Sequence, residues 1–247
     1  MGVAGKAYND RLNLCSVPKE TRKSCLEDPQ EEVMPIMWWT IIWLFLTLPV
    51  TGLADEPGVN PVPPADVTGF RSAHFGMSEE EVRKAIVKDF SIKKEAIKAE
   101  ENPLDRTRIL MIRVPDLLPK GGTAQVVYVL GYSKKKLIQV NVLWSKTSDS
   151  GIKPEQLADN AVLLGNHFET NGFAPDSITR NALLSSGEGV LVFRGTDKQG
   201  RMVLLLLRGD SNKDKPDQPK FTYTALQLFY VADPANPDIF RLSREDW

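Results

Sequence analysis

The chain has 247 residues, of which 42% are hydrophobic and 26% charged; this composition is typical of a globular protein, and the length allows one or two domains. The formal net charge is −1, so no overall basic field would attract nucleic acid. Both cysteines, Cys15 and Cys25, lie near the start, so the rest of the chain excludes a disulfide framework, a thiolate metal site and a cysteine nucleophile.

An uncharged apolar segment follows the first 33 residues. Its most apolar part, Ile36 to Leu48, has the length of a signal-peptide core, and Gly52 to Ala54 supplies small residues for cleavage before Asp55. The whole segment is also long enough to cross a bilayer as a helix. We therefore predict that residues 34–54 form a signal peptide or a single membrane span, with a buried core helix as the third interpretation.

Residues 1–33 are too long and too acidic for the basic start of a signal peptide. Either translation begins at Met34 or Met37 and residues 1–33 are a mis-annotated extension, or they are a cytoplasmic leader before an uncleaved anchor. Lysines and arginines precede the apolar segment and none follows it until Arg71, so both alternatives export residues 55–247. The expected location is the periplasm or the extracellular space of a bacterium, with an inner-membrane anchor if cleavage does not occur.

The next stretch, residues 55–69, is predicted to be an extended linker because it contains four prolines and two glycines. No cysteine stands at the predicted cleavage position, which excludes a lipid-anchored lipoprotein.

His74 stands close to three consecutive glutamates, a pattern that fits either an acid/base site or the start of a helix. Ser78 and Glu81 have the spacing of a capping box, and negative charge in the first turn suits the helix dipole. The pairs Glu79/Arg83 and Glu80/Lys84 have the spacing of ion pairs along a helix. One apolar stripe follows, made of Val82, Ala85, Ile86 and Phe90. Helix initiation explains the whole cluster, so we expect a structural or solvated His74.

The residues from Phe75 to Val82 resemble the G-M-[ST]-x-x-x-V helix start of the SmpA/OmlA-type outer-membrane assembly lipoproteins and of similar small exported α/β modules. The resemblance implies a compact module of a helix and an antiparallel sheet that binds other envelope proteins. It carries no binding residue across, and the lipoprotein cysteine of that family is missing.

Three runs with strand character follow the first helix, at 109–114, 124–133 and 137–145, the last with clear alternation of apolar and polar residues. A second helix is predicted from Pro154 to Asn171-Gly172. Its apolar face comprises Leu157, Ala161, Leu164 and Phe168.

Three more strand-like runs come after that helix, at 189–195, 201–208 and 221–232, with a hairpin loop at 196–200 and a polar loop at 209–220. The continuous apolar run from Val203 to Leu207 predicts a central strand.

The order helix-strand-strand-strand thus occurs twice, in halves 70–150 and 151–232 of one domain, 70–232. We predict an α+β fold in which the two tandem α-β-β-β units form one antiparallel sheet of about six strands with both helices on one face. The beta-lactamase inhibitor protein is similar in having tandem modules, a topological analogy only. The second face of the sheet is either covered or, if open, a candidate partner surface. The tail, 233–247, either packs on the sheet or reaches a partner.

Motifs of catalysis are missing from the sequence: it has no nucleophile elbow, no phosphate-binding glycine loop and no metal-ligand spacing. The sequence therefore predicts no catalytic, cofactor-binding or metal-ligating residue. His167 and Glu169 lie two apart on a helix and point to different sides, so they cannot chelate together.

Two functions remain open from the sequence. The first is a non-catalytic, exported envelope protein that binds another envelope protein or a cell-envelope component, with no nucleic acid and no cofactor, and with the membrane only through residues 34–54. The alternative is an exported hydrolase or small-ligand-binding enzyme that uses His74 or His167.

Overall fold

The computed structural model describes residues 62–185, 187–211 and 221–242. The predicted leader and apolar segment, 1–54, and most of the polar loop at 209–220 lie outside the described residues. The described residues contain two α-helices and ten strands. The helices are α1 (Glu79–Phe90) and α2 (Pro154–Glu169). The strands are β1 (Gly69–Phe70), β2 (Ala73–His74), β3 (Lys98–Glu101), β4 (Arg108–Val114), β5 (Ala124–Leu130), β6 (Leu137–Ser145), β7 (Ile178–Leu183), β8 (Gly189–Thr196), β9 (Met202–Ser211) and β10 (Phe221–Val231).

Local signals at the start of α1 act as the sequence predicts. The Glu81 carboxylate accepts a hydrogen bond from the Ser78 backbone N–H at 2.7 Å. The Arg83 guanidinium lies 2.7 Å from Glu79, and the Lys84 ammonium lies 2.9 Å from Glu80. Hydrogen bonds from Ser78 lower the pKa of the Glu81 carboxyl. The hydrogen bond from the Lys84 ammonium lowers the pKa of the Glu80 carboxyl. The capping box and both ion pairs are therefore confirmed.

The apolar stripes of both helices face the core. In α1, Val82, Ala85 and Ile86 are buried, and Phe90 is half-buried against the core. The four apolar residues expected on the inner face of α2 are likewise buried. Each helix is thus held by one apolar side against the sheet, as the helical periodicity predicts.

Eight strands form one antiparallel sheet in the order β3-β4-β5-β6-β10-β9-β8-β7, and β1 pairs with β2 in a separate hairpin. The α+β class and the antiparallel sheet are confirmed, but the prediction of about six strands is wrong. Each half adds one more strand to this sheet than the predicted α-β-β-β unit has, β3 in the first and β7 in the second. The β1–β2 hairpin was not predicted either. The predicted loop at 209–220 also begins too early, because β9 continues to Ser211.

The two halves repeat one another closely. In each, a helix is followed by a short 3-10 turn, an edge strand and three further strands. The last strands of the two halves, β6 and β10, pair antiparallel at the centre of the sheet. If a two-fold axis perpendicular to the sheet relates the two halves, their helices must lie on the same face of the sheet. Both helices do lie on the same face.

Both helices pack on the face that carries the main core. Arg108, on the same face of β4 as Leu110, lies 3.3 Å from Glu79 of α1. Phe168 of α2 stacks on Phe193 of β8, with ring centroids 5.6 Å apart. The register joins Leu110, Tyr128, Val140, Tyr230 and Val203 into one row across five strands on that face.

The end of the predicted linker packs on the sheet domain. The Ala65 N–H donates to the Gly172 carbonyl at 3.0 Å, just after α2. Val67 is buried, and its N–H donates to the Asp197 carboxylate at 2.9 Å. We call residues 62–68 the N-terminal strap.

The described part of the tail also packs on the domain. The Asp238 carboxylate accepts bonds from the N–H groups of Ser133 and Lys134, at 2.9 and 2.8 Å. The Phe240 ring lies edge-on to the Tyr132 ring. The guanidinium carbon of Arg106 lies over the Phe240 ring, 3.9 Å from the centroid of that ring. Of the two alternatives for the tail, packing therefore applies to residues 237–240, at the ends of the β3–β4 and β5–β6 hairpins and not across the sheet.

Candidate functional site

The two histidines lie on separate elements. His74 is exposed at the end of β2, where its backbone N–H approaches the Met77 sulfur at 3.3 Å. His167 is exposed on α2, with a ring nitrogen 3.2 Å from the Asn171 amide nitrogen. Glu169 pairs with Arg180 of β7 at 3.1 Å. Among the described residues, no group of histidine, cysteine and carboxylate side chains could hold a metal ion.

Neither described helix is both long enough and apolar enough to span a bilayer.

The most distinctive surface is the face of the sheet opposite α1 and α2, which we call the helix-free face. No helix of the described part of the chain packs on it. Strand alternation fixes its members, because residues next to those of the core row point to the other side. On β6, for example, Val140, Val142 and Trp144 face the helices, whereas Asn141 and Leu143 lie on the helix-free face.

Residues paired between adjacent strands form continuous rows on this face across the whole sheet. The middle row runs from Lys98 on one edge strand to Thr179 on the other. Between them it contains Met111, Val127, Asn141, Phe229, Leu204 and Arg194. The rows on either side contain Ile109, Val129, Gln139, Val231 and Met202, and Arg113, Gln125, Leu143, Gln227, Leu206 and Leu191. One surface is thus assembled from both halves of the chain.

The inner four strands supply no ionisable side chain to these three rows. Their twelve positions are eight apolar side chains and four amides, the amides being Gln125, Gln139, Asn141 and Gln227. Charged residues of the rows stand on the outer strands β3, β4 and β8. The helix-free face therefore has an uncharged centre with a charged border.

Amides at the centre are held by neighbours on the same face. The Gln139 Nε2 donates to the Asn141 Oδ1 at 2.6 Å, and the Gln125 Nε2 approaches the Met111 sulfur at 3.0 Å. Leu206 and Phe229 are the most sheltered apolar side chains of the three rows, with 4% and 8% of their surface exposed. The other six apolar side chains among these twelve positions are half-buried.

Without ionisable groups, this centre offers no general acid, base or nucleophile. It offers apolar contact area and fixed hydrogen-bond donors and acceptors, which are the requirements of a binding surface. Sequence reasoning identified the alternation within β6, but the rows depend on pairing between β6 and β10, which are distant in the chain.

Comparison of the chain with protein-family models, curated proteins and solved structures gives no match.

Proposed function

We propose that this chain is an exported bacterial envelope protein that acts as a non-catalytic binding module, and that it docks another envelope protein on its helix-free face. One observation carries the proposal: the uncharged centre of that face, formed by four adjacent inner strands. Apolar patches on the surface of a folded domain mark sites of contact with other proteins, membranes or ligands.

The distribution of residue types matches that of protein interfaces. Interfaces have a centre depleted of charge and a polar rim. The centre here combines Met, Leu, Val and Phe side chains with amides, and Lys98, Glu100, Arg113 and Arg194 stand outside it. The partner is therefore expected to present an apolar patch with its own hydrogen-bonding groups.

A rigid support favours binding without rearrangement. The inner strands are paired on both sides, and the opposite face of the sheet is fixed by both helices. Such a surface loses little conformational freedom on association, which lowers the free-energy cost of binding.

Export is supported by the sequence segment at 34–54 and by the resemblance of Phe75 to Val82 to the SmpA/OmlA-type helix start. The tandem arrangement, a helix and four strands used twice, keeps the topological analogy with the beta-lactamase inhibitor protein. A fold analogy does not transfer a binding function, so the surface itself must be tested.

Site-specific photo-cross-linking in the source bacterium tests the docking surface. The cross-linking amino acid is placed at Val127 on β5 or at Leu204 on β9, in the middle row of the face. Val162, an exposed apolar residue of α2 with 61% of its surface accessible, is the control position. The same discrete partner is expected from both sheet positions and not from Val162.

A variant with a charge introduced at the centre of the helix-free face distinguishes specific docking from cross-linking by chance proximity. Asn141→Lys should remove the cross-link from Leu204. The variant should stay folded at the assay temperature, because the half-buried Asn141 loses one side-chain hydrogen bond, that from Gln139, worth about 1 kcal/mol. Equal cross-linking from all three positions, or a cross-link that survives Asn141→Lys, would rule out this docking surface.

Export is tested separately on the full chain. Protease added to spheroplasts should digest the folded domain, and sequencing of the mature N-terminus should distinguish cleavage before Asp55 from an intact anchor. Protection of the domain in intact spheroplasts, with digestion after lysis, would contradict export whatever the cross-linking shows.

A further inference from the structure

A shallow groove lies on the outer side of α1, away from the helix-free face. It has a volume of about 530 Å³ and is lined by residues along α1, from Glu80 to Lys88, and by the segment that follows the helix. Ser91, at the end of α1, adopts a left-handed conformation with φ 51°. This turns the chain back, so that Ile92 to Glu95 lie along the helix and form the second wall.

Positive charge dominates the lining. Five cationic side chains face two carboxylates, those of Glu80 and Glu95. Two of the cations are already paired within α1, Arg83 with Glu79 and Lys84 with Glu80. The other three, Lys88, Lys93 and Lys94, are exposed and form no direct ion pair within the described part of the chain. The charge of Lys94 nevertheless acts on Glu80 and helps to lower the pKa of its carboxyl.

The base of the groove is apolar and fixed. Val87 and Ile92 are half-buried and pack against the core. The groove thus joins an apolar base to a lysine rim, the combination that suits a phosphate ester attached to a hydrocarbon backbone.

The three lysines of the groove act as compact point charges, which bind phosphate. Clusters of lysine and arginine also attract the anionic headgroups of a membrane surface. The one arginine in the lining, Arg83, already gives two bonds to Glu79, at 2.7 and 3.0 Å. We infer that the groove binds the phosphate of an anionic lipid headgroup, so that the domain rests with the outer side of α1 on an anionic membrane surface.

Vesicle binding of the full chain tests this inference. Vesicles of phosphatidylglycerol and phosphatidylcholine are compared with vesicles of phosphatidylcholine alone, by co-sedimentation at low salt. Because the segment at 34–54 is present in every arm, the readout is the ratio of the two partition coefficients. The variant Lys88→Glu/Lys93→Glu/Lys94→Glu should lower that ratio by about tenfold or more, since each lysine near an anionic surface contributes several-fold to binding.

A matched control variant reverses the charges of three lysines outside the groove. Lys120→Glu/Lys146→Glu/Lys153→Glu changes three exposed lysines on other elements and should leave the ratio within about twofold of the parent. Equal loss in both triple variants would show attraction by net charge only and would overturn the groove. An unchanged ratio in the groove variant would overturn it as well.

A third arm tests the choice of phosphate. Vesicles given the same surface charge with a carboxylate amphiphile should bind the parent more weakly than phosphatidylglycerol vesicles do. Equal binding would refute a phosphate site, because it would show recognition of negative surface charge alone.

Discussion

The guanidinium of Arg201 donates from Nε to the Oδ2 of Asp197 at 2.7 Å, across the turn that joins β8 to β9. The same carboxylate, which is buried, accepts bonds from the backbone N–H groups of Val67, Gln199 and Arg201, each at 2.9 Å. Arg201 also contacts the carboxylate of Asp66 in the strap. Asp197 thus closes the hairpin turn and holds the N-terminal strap at once.

The first prediction follows from those four bonds. Asp197→Asn keeps the size of the side chain but removes the charge, and it brings an N–H₂ group among donors. We expect a loss of about 2–3 kcal/mol in the free energy of unfolding, because a charged acceptor of several buried bonds is removed. Urea unfolding followed by circular dichroism measures it.

The matched control is Asp66→Asn. The Asp66 side chain is 63% exposed, so its pairing with Arg201 is worth less than about 1 kcal/mol. If the two variants lose equal stability, Asp197 is not the anchor of the strap.

The second prediction concerns the tail. A Cβ added at Gly131 would collide with the Asp238 carboxylate, whose Cγ would be 2.7 Å away. Gly131→Ala should therefore displace Asp238 and release residues 237–242. Faster amide exchange at Ser133 and Lys134 and faster proteolysis of the tail would report this.

A harmless glycine substitution provides the comparison. At Gly151 an added Cβ would meet the nearest atom at 3.5 Å, an ordinary contact. Gly151→Ala should leave both measurements unchanged, and the tail prediction fails if Gly131→Ala does so too.

Most of the fold could be predicted from periodicity, and the two missed strands of the large sheet share one physical reason. β3, with the sequence KAEE, and β7 are the edges of the sheet. Edge strands are exposed and carry charged residues that discourage pairing with other chains. Apolar alternation, on which strand prediction depends, is therefore weak where the strand is at the edge.

The candidate site was less predictable than the fold. Alternation assigns each residue to one face of its own strand, but the helix-free face exists as a surface because β6 pairs with β10. That pairing joins the two halves, and no local pattern fixes its register. The groove beside α1 was hidden for a similar reason, because it depends on the left-handed Ser91 that turns the chain back.

The third prediction is a dependence of stability on pH. Backbone N–H groups of Thr123 and Gly151 donate to Asp149 and lower the pKa of its carboxyl. Although burial opposes it, the hydrogen bonds from Lys134 and Ser133 likewise lower the pKa of Asp238. A carboxyl whose pKa is lower in the folded state stabilises the fold above its unfolded pKa, near 4, and loses that contribution as pH falls through the folded pKa.

Thermal melts over a range of pH should thus show a plateau above about pH 5 and a decline below about pH 4. Asp149→Asn removes one contribution, so its melting temperature should be below that of the parent at pH 7 and should converge with it near pH 2. A constant difference at every pH would show that the effect of Asp149→Asn does not come from its charge.

The fourth prediction concerns the core beneath the helices. Tyr128 is fully buried on the helix side of β5, and its hydroxyl has no hydrogen-bond partner in the described part of the chain. Burial, with a smaller effect of Asp89, raises the pKa of this hydroxyl above its usual range. Loss of hydration without a replacement bond costs about 1–3 kcal/mol. Tyr128→Phe keeps the ring and removes the hydroxyl, so we expect stabilisation of about 1 kcal/mol, seen as a higher urea midpoint with an unchanged slope.

Tyr223→Phe, at a half-buried tyrosine of β10, is the control and should change the midpoint by much less. If Tyr128→Phe instead destabilises the fold by 1 kcal/mol or more, the hydroxyl is bonded in solution, most simply to a buried water.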